Sequence, residues 1–149
     1  MVPMPALDLK LTLQQALAHS RNTEGLRQSL EEHLKNVSRL AERFGAAFEQ
    51  ADLGSALGCF RDPGKTKTSW QQRLLQLEAG QTLAWNEIQH DDKMAAAAYV
   101  YDSSPLLALL TAGHHGGIPD FCAFTAEIES QKWDVSRNEL ADKLGECRN

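Results

Sequence analysis

The stretch that decides the fold is Leu26-Arg27-Gln28-Ser29-Leu30-Glu31-Glu32-His33-Leu34-Lys35-Asn36-Val37-Ser38-Arg39-Leu40-Ala41-Glu42-Arg43-Phe44-Gly45-Ala46-Ala47-Phe48. Its apolar residues Leu26, Leu30, Leu34, Val37, Leu40, Ala41, Phe44, Ala47 and Phe48 recur at steps of three and four. That is the apolar stripe of a long amphipathic helix. The spacing predicts a start near Ser29, and Glu31 and Glu32 suit the positive end of the helix dipole.

Outward from this helix the pattern repeats. Ala51 to Phe60 reads as a second helix, closed by Pro63-Gly64. Ser69 is placed to cap a short third one running through Trp70, Leu74 and Leu77. Asp91 to Tyr101, with four consecutive alanines, is intrinsically helical, and Pro105 suits the first position of a helix over Leu106 to Ala112. Asn138 to Cys147 is weakly helical. β-Branched residues are few and do not alternate with polar ones, so the fold class is all-α. Leu7 to Leu13 alternates apolar and polar residues and reads as an extended segment or a loose arm. The domain reading is an N-terminal arm over 1–17 and one helical domain over 18–149.

Composition narrows the class. A chain of 149 residues forms one domain with a sizeable core. No apolar run approaches the ~20 residues of a membrane span, and Met1 to Leu17 has neither a basic start nor a small-residue cleavage site, so no secretory signal is expected. Cys59, Cys122 and Cys147 are odd in number and widely spaced, which disfavours a disulfide framework or zinc knuckle and fits a reducing, cytoplasmic setting. A net charge of −5 argues against a general nucleic-acid coating protein. It leaves room for an enzyme that holds a phosphodiester through bound metal ions.

The chemistry-bearing residues are His33 in the long helix, Asp62 in Phe60-Arg61-Asp62-Pro63-Gly64-Lys65, and the pair His114-His115 before Gly116-Gly117. Imidazole is the commonest neutral metal ligand, and side chains from separate helices can converge in a bundle core to build a metal site. Nitrogen and carboxylate donors together suit Mn, Fe, Co, Ni or Zn. Singly, each residue has a plainer role: His33 as a core-edge histidine, Asp62 as a turn former beside Pro63-Gly64, Lys65 and Lys67 as solvated charges. Trp70, Trp85 and Trp133 read as core residues before base-stacking ones. Tyr99 and Tyr101, two apart on a helix, face different sides.

Taken in order, several pieces resemble the HD-domain nuclease of type I CRISPR systems, the module usually joined to a helicase in the DNA-degrading effector. They are Ala18-His19-Ser20-Arg21-Asn22, Leu30 to Val37, Gly58 to Lys65, Trp70 to Leu74, the alanine-rich helix and Ala112 to Gly117, over about residues 18–120. The resemblance implies an HD-domain-like helical bundle, two divalent transition metals (Mn, Ni, Co or Fe, with Mg also possible), cleavage of single-stranded DNA in antiviral defence, and a helicase or CRISPR interference complex as partner. It makes His33, Asp62, His114 and His115 metal ligands, with Asp62 bridging the ions and catalytic. It sets Lys65 near substrate phosphate, and His19 in an N-terminal family segment outside the ligand set.

The chain departs from that family at three places. The His-Asp pair reads Arg61-Asp62, and a guanidinium cannot bind a metal; the side chain would have to swing out. The family's next histidine becomes Asp92 in a gap-free alignment, or His90 with a two-residue shift, and Asp92 is the preferred equivalent. A further downstream aspartate has only Asp120, Asp134 and Asp142 as candidates, so the domain reads as incomplete at its C-terminal end. The alternatives are a catalytically inactive HD-like module that binds a protein partner, and a site that hydrolyses a nucleotide rather than a polymer.

Overall fold

The computed structural model describes residues 11–84, 93–114 and 116–130. Within them lie six α-helices: α1 (Leu30–Ala46), α2 (Ala51–Cys59), α3 (Thr68–Glu78), α4 (Lys93–Tyr101), α5 (Pro105–Gly113) and α6 (Phe121–Glu129), with a 3-10 turn at Pro63–Thr66. The only pairing of extended backbone among the described residues is one isolated antiparallel bridge between Leu17 and Ser29. The molecule is all-α there, and no described helix is long and apolar enough to cross a membrane.

Local chemistry sets most helix starts. Ser29 caps α1, its hydroxyl accepting from Glu32 N–H, and a Ser three residues ahead of a Glu is the sequence form of a capping box. Ser104 caps α5 by accepting from Leu107 N–H, with Pro105 as the first helical residue. Asp120 caps α6 by accepting from Ala123 N–H at 2.9 Å, which spends one of the candidate downstream aspartates on a structural bond. The third helix corrects the sequence expectation. It begins at Thr68 with Lys67 at the cap position and no side-chain cap. The preceding 3-10 turn delivers the backbone already coiled, and Gln71 N–H donates to Lys67 O at 3.0 Å, so Ser69 falls inside the first turn.

The apolar stripe of α1 is only partly used. Leu30 and Leu34 are buried, whereas Leu26, Leu40, Phe44 and Phe48 are exposed. The reason lies in α2. A Cβ on Gly58 would overlap the Ser38 backbone, and one on Gly54 would overlap Ala41 O. The two helices therefore meet backbone to backbone along the Ser38–Ala41 face. The Ser38 hydroxyl, buried in that seam, donates to Ser55 O at 2.9 Å. This choice of face turns the Leu40–Phe44 row outward.

Two larger apolar clusters result, beside a small one of Ala95 and Ala96 with Phe60 and Tyr99 packed against it. The larger joins Met94, Ala97, Val100, Leu107, Ala108, Ala112 and Phe124, with Leu53, Ala56, Leu57 and Phe60 of the α2 region packed against it. The smaller joins Leu13, Ala16 and Ala18 to Leu30 and Leu34. Residues 11–17 of the expected arm thus belong to the packed molecule: Leu13 enters a turn in which Ala16 N–H donates to Thr12 O at 2.9 Å. The rest of the 1–17 arm and the weak helix at Asn138 to Cys147 lie outside the described residues.

Candidate metal and phosphodiester site

Asp62 stands where α2 gives way to the 3-10 turn. Its backbone is the cap position of that turn, and Lys65 N–H donates to its carbonyl at 3.2 Å. The Pro63-Gly64 step tightens the chain so that Asp62 and Lys65, three apart, face the same way. Lys65 Nζ lies 3.1 Å from Asp62 Oδ2 and 5.6 Å from the centre of the buried Trp70 ring. Trp70 is therefore wall, not an open stacking surface. Although Asp62 is only 3% exposed, its neighbour Arg61 is exposed, as it must be for the arginine to stay out of a ligand position.

Two imidazoles converge on the same carboxylate from different helices. His33 of α1 places Nε2 3.7 Å from Asp62 Oδ2. His114, just past the end of α5, places Nε2 3.6 Å from Asp62 Oδ1. The His114 ring is held from behind, because its Nδ1 is 2.6 Å from Thr111 O. A carbonyl only accepts, so Nδ1 carries a proton, and Nε2 is the ring nitrogen that faces Asp62. The His33 ring is also held, its Nδ1 lying 3.2 Å from His19 Nε2. Burial, followed by the charge of Lys65, pushes the His33 imidazole below its ordinary range despite the opposing pull of Asp62. The same two causes, in the same order, lower His19. Both effects favour neutral rings at neutral pH, the form that donates a lone pair.

Gln71 was not singled out by its chemistry in the sequence, yet it sets the floor of the site. From α3 it accepts from Leu17 N–H at 3.0 Å and donates to Leu17 O at 2.9 Å and to Lys65 O at 2.7 Å. One buried amide thereby joins the N-terminal segment, the Lys65 turn and α3. A glutamine at a helical position carries no local mark of such a role, since its three partners come from two other parts of the chain.

The fit to a divalent ion is partial. One imidazole on each oxygen of a shared carboxylate, each ring anchored through its other nitrogen, is a donor set suited to first-row metals. Two ligand atoms of one tetrahedral ion lie about 3.4 Å apart at bond lengths near 2.1 Å, close to both observed separations. Among the described residues, however, no group of three or more His, Cys, Asp or Glu side chains forms a metal site. Asp92, its alternative His90, and His115 lie outside the described residues, as do Trp85, Trp133, Asp134 and Asp142. Cys59 and Cys122 are free thiols. Tyr99 and Tyr101 pack apart, on Phe60 and Phe124 respectively.

No protein-family model, curated protein or solved structure matches this chain.

Proposed function

We propose that this chain is an HD-type, divalent-metal phosphodiesterase of the CRISPR-associated class that cuts single-stranded DNA in concert with a helicase or interference complex. The observation that carries the reading is the position of Asp62: His33 Nε2 and His114 Nε2 approach its two oxygens at 3.7 and 3.6 Å from two separate helices. In this reading Asp62, His33 and His114 hold Mn, Fe, Co or Ni, or Mg in their place, with Asp92 and His115 completing the ligand set. Such ions supply an activated water and offset charge on the phosphodiester during in-line attack.

The protein's own part is orientation and charge placement. Thr111 O fixes the His114 tautomer, and the Pro63-Gly64 turn fixes Asp62 between the two rings. Lys65 brings its amino group to the carboxylate edge, where it meets a substrate phosphate. Arg61 stays at the surface. The exposed position of Arg61 supports an intact rather than a blocked site.

One observation favours a second reading. Lys65 Nζ at 3.1 Å already neutralises Asp62 Oδ2, and the residue before Asp62 is a cation. A carboxylate balanced from within its own turn suits an inactive HD-like module that serves a protein partner. With a net charge of −5, that partner is more naturally a protein than DNA, whose affinity for proteins comes mostly from phosphate contacts.

Cleavage of labelled single-stranded DNA with Mn, Co, Ni or Mg separates the two. Metal-dependent cutting that EDTA and Asp62→Ala both abolish is the expected outcome, and Arg61→His should raise the bound metal content after Mn or Ni loading. A folded, helical wild-type chain that neither cuts nor binds metal, with Arg61→His unchanged, overturns the nuclease reading in favour of the inactive module.

A further inference from the structure

His19 Nε2 lies 3.2 Å from His33 Nδ1, with the ring centres 4.6 Å apart and the planes nearly perpendicular at 87°. Asp62 Oδ2 stands 3.7 Å from His33 Nε2, beyond bonding distance. We propose that His19 is a positioning residue of the Asp62 site, accepting a hydrogen bond from His33 Nδ1–H and so holding His33 in the tautomer whose Nε2 lone pair faces Asp62. The inference rests on the reading of His33 as a donor to a divalent ion.

Two neighbours decide which ring carries the shared proton. Lys65 Nζ, 3.1 Å away, already serves Asp62 Oδ2 with a donor, so the carboxylate does not need an N–H from His33. On the other oxygen, His114 shows the same arrangement in a form with only one solution: Nδ1–H donates to Thr111 O and Nε2 faces Asp62 Oδ1. Placing the His33 proton on Nδ1 leaves an unprotonated Nε2 beside Asp62 Oδ2, free to share an ion with the carboxylate. His19 then carries its own proton on Nδ1, and as an exposed residue it can satisfy that N–H with water. An outer partner of this kind fixes ring orientation and tautomer, and its loss typically lowers metal affinity by about 10–100-fold.

The direct test is long-range proton–nitrogen NMR on the uniformly labelled full chain at pH 8 without metal, where an ordinary imidazole is neutral. A His33→Gln sample assigns the His33 signals. The wild type is expected to show a protonated Nδ1 and an unprotonated Nε2 on His33. His19→Phe keeps an edge-on ring but no acceptor and should shift the proton toward Nε2; His19→Gln, with an amide oxygen in reach, should restore the wild-type pattern. Zn titration by calorimetry should follow, weaker by about 10–100-fold in His19→Phe and recovered in His19→Gln. A wild-type His33 protonated on Nε2, or an identical tautomer in His19→Phe, overturns the proposal. If the tautomer follows residue 19 but the wild type binds no Zn or Mn, the metal reading fails and the positioning role stands.

Discussion

At the scale of single residues, the site is a small set of electrostatic commitments around Asp62. Burying a carboxylate is costly unless charge and hydrogen bonds meet it, and here the Lys65 ammonium does so at 3.1 Å, while two imidazole Nε2 atoms stand beside its oxygens at 3.6 and 3.7 Å. The arrangement persists only if the Lys65 turn keeps its shape, which is the task of Gln71. Its amide makes three hydrogen bonds to backbone groups, two to Leu17 and one to Lys65. Replacing it with leucine, similar in size, strands those groups. Each buried polar group left unsatisfied costs about 1–3 kcal/mol, so Gln71→Leu, which strands three, should lower stability by about 3 kcal/mol or more. A urea midpoint within error of the wild type would show that these bonds are not what secures the turn.

Between elements, the α1–α2 seam governs where Asp62 ends up, because Asp62 follows α2 by only three residues. In an open helix, glycine to alanine is favourable by about 1 kcal/mol. At Gly58 a methyl would instead overlap the Ser38 backbone, and overpacking of this kind costs about 1–3 kcal/mol. Gly58→Ala is therefore expected to lower the thermal midpoint. It should also displace Asp62 from His33, since α1 carries one and α2 leads to the other. A raised midpoint would mean that the helices cross less closely. The same seam accounts for the exposure of Phe44 (68%) and Phe48 (79%), apolar residues that the helical stripe alone would assign to the core.

At the scale of the whole molecule, the described residues form three apolar clusters, and polar clamps add to the contacts between elements. The N-terminal segment is held to α3 by Gln71 at one end and by Glu78 at the other. Glu78 receives Arg27 through both carboxylate oxygens and the backbone N–H of Arg21 at 2.8 Å. The hydrogen bond from Arg27 is the main cause that holds the Glu78 carboxyl below its ordinary range. The sign follows directly: a carboxyl with a lowered folded pKa adds stability above its unfolded value of 4.5, and that contribution is lost as pH falls through the folded value. Arg27→Met should therefore destabilise the protein at pH 7 and make little difference near pH 2. Equal destabilisation at both pH values in denaturant titrations would assign the loss to packing by the arginine stem instead.

By itself the sequence determined five of the six described helices and most of their ends, because those depend on neighbours a few residues away; Phe121–Glu129 was not among its readings. The three- and four-residue recurrence from Leu26 onward, Ser29 before Glu32, and Pro105 after Ser104 act within one or two turns, and the structure reproduces α2 and α5 to within a residue and starts α1 as read while ending it two residues before Phe48. The candidates His33, Asp62, Lys65 and His114 were also legible, as residue types suited to one chemistry. Their convergence was not, nor were the parts of Gln71 and His19. Those depend on which face of α1 meets α2, on the backbone contact that Gly54 and Gly58 permit, and on an N-terminal segment folded back across α3. Contacts between positions some fifty residues apart, such as Leu17 with Gln71, leave no periodic trace in the chain. Tertiary packing alone decided which apolar residues were buried and which imidazoles met the carboxylate.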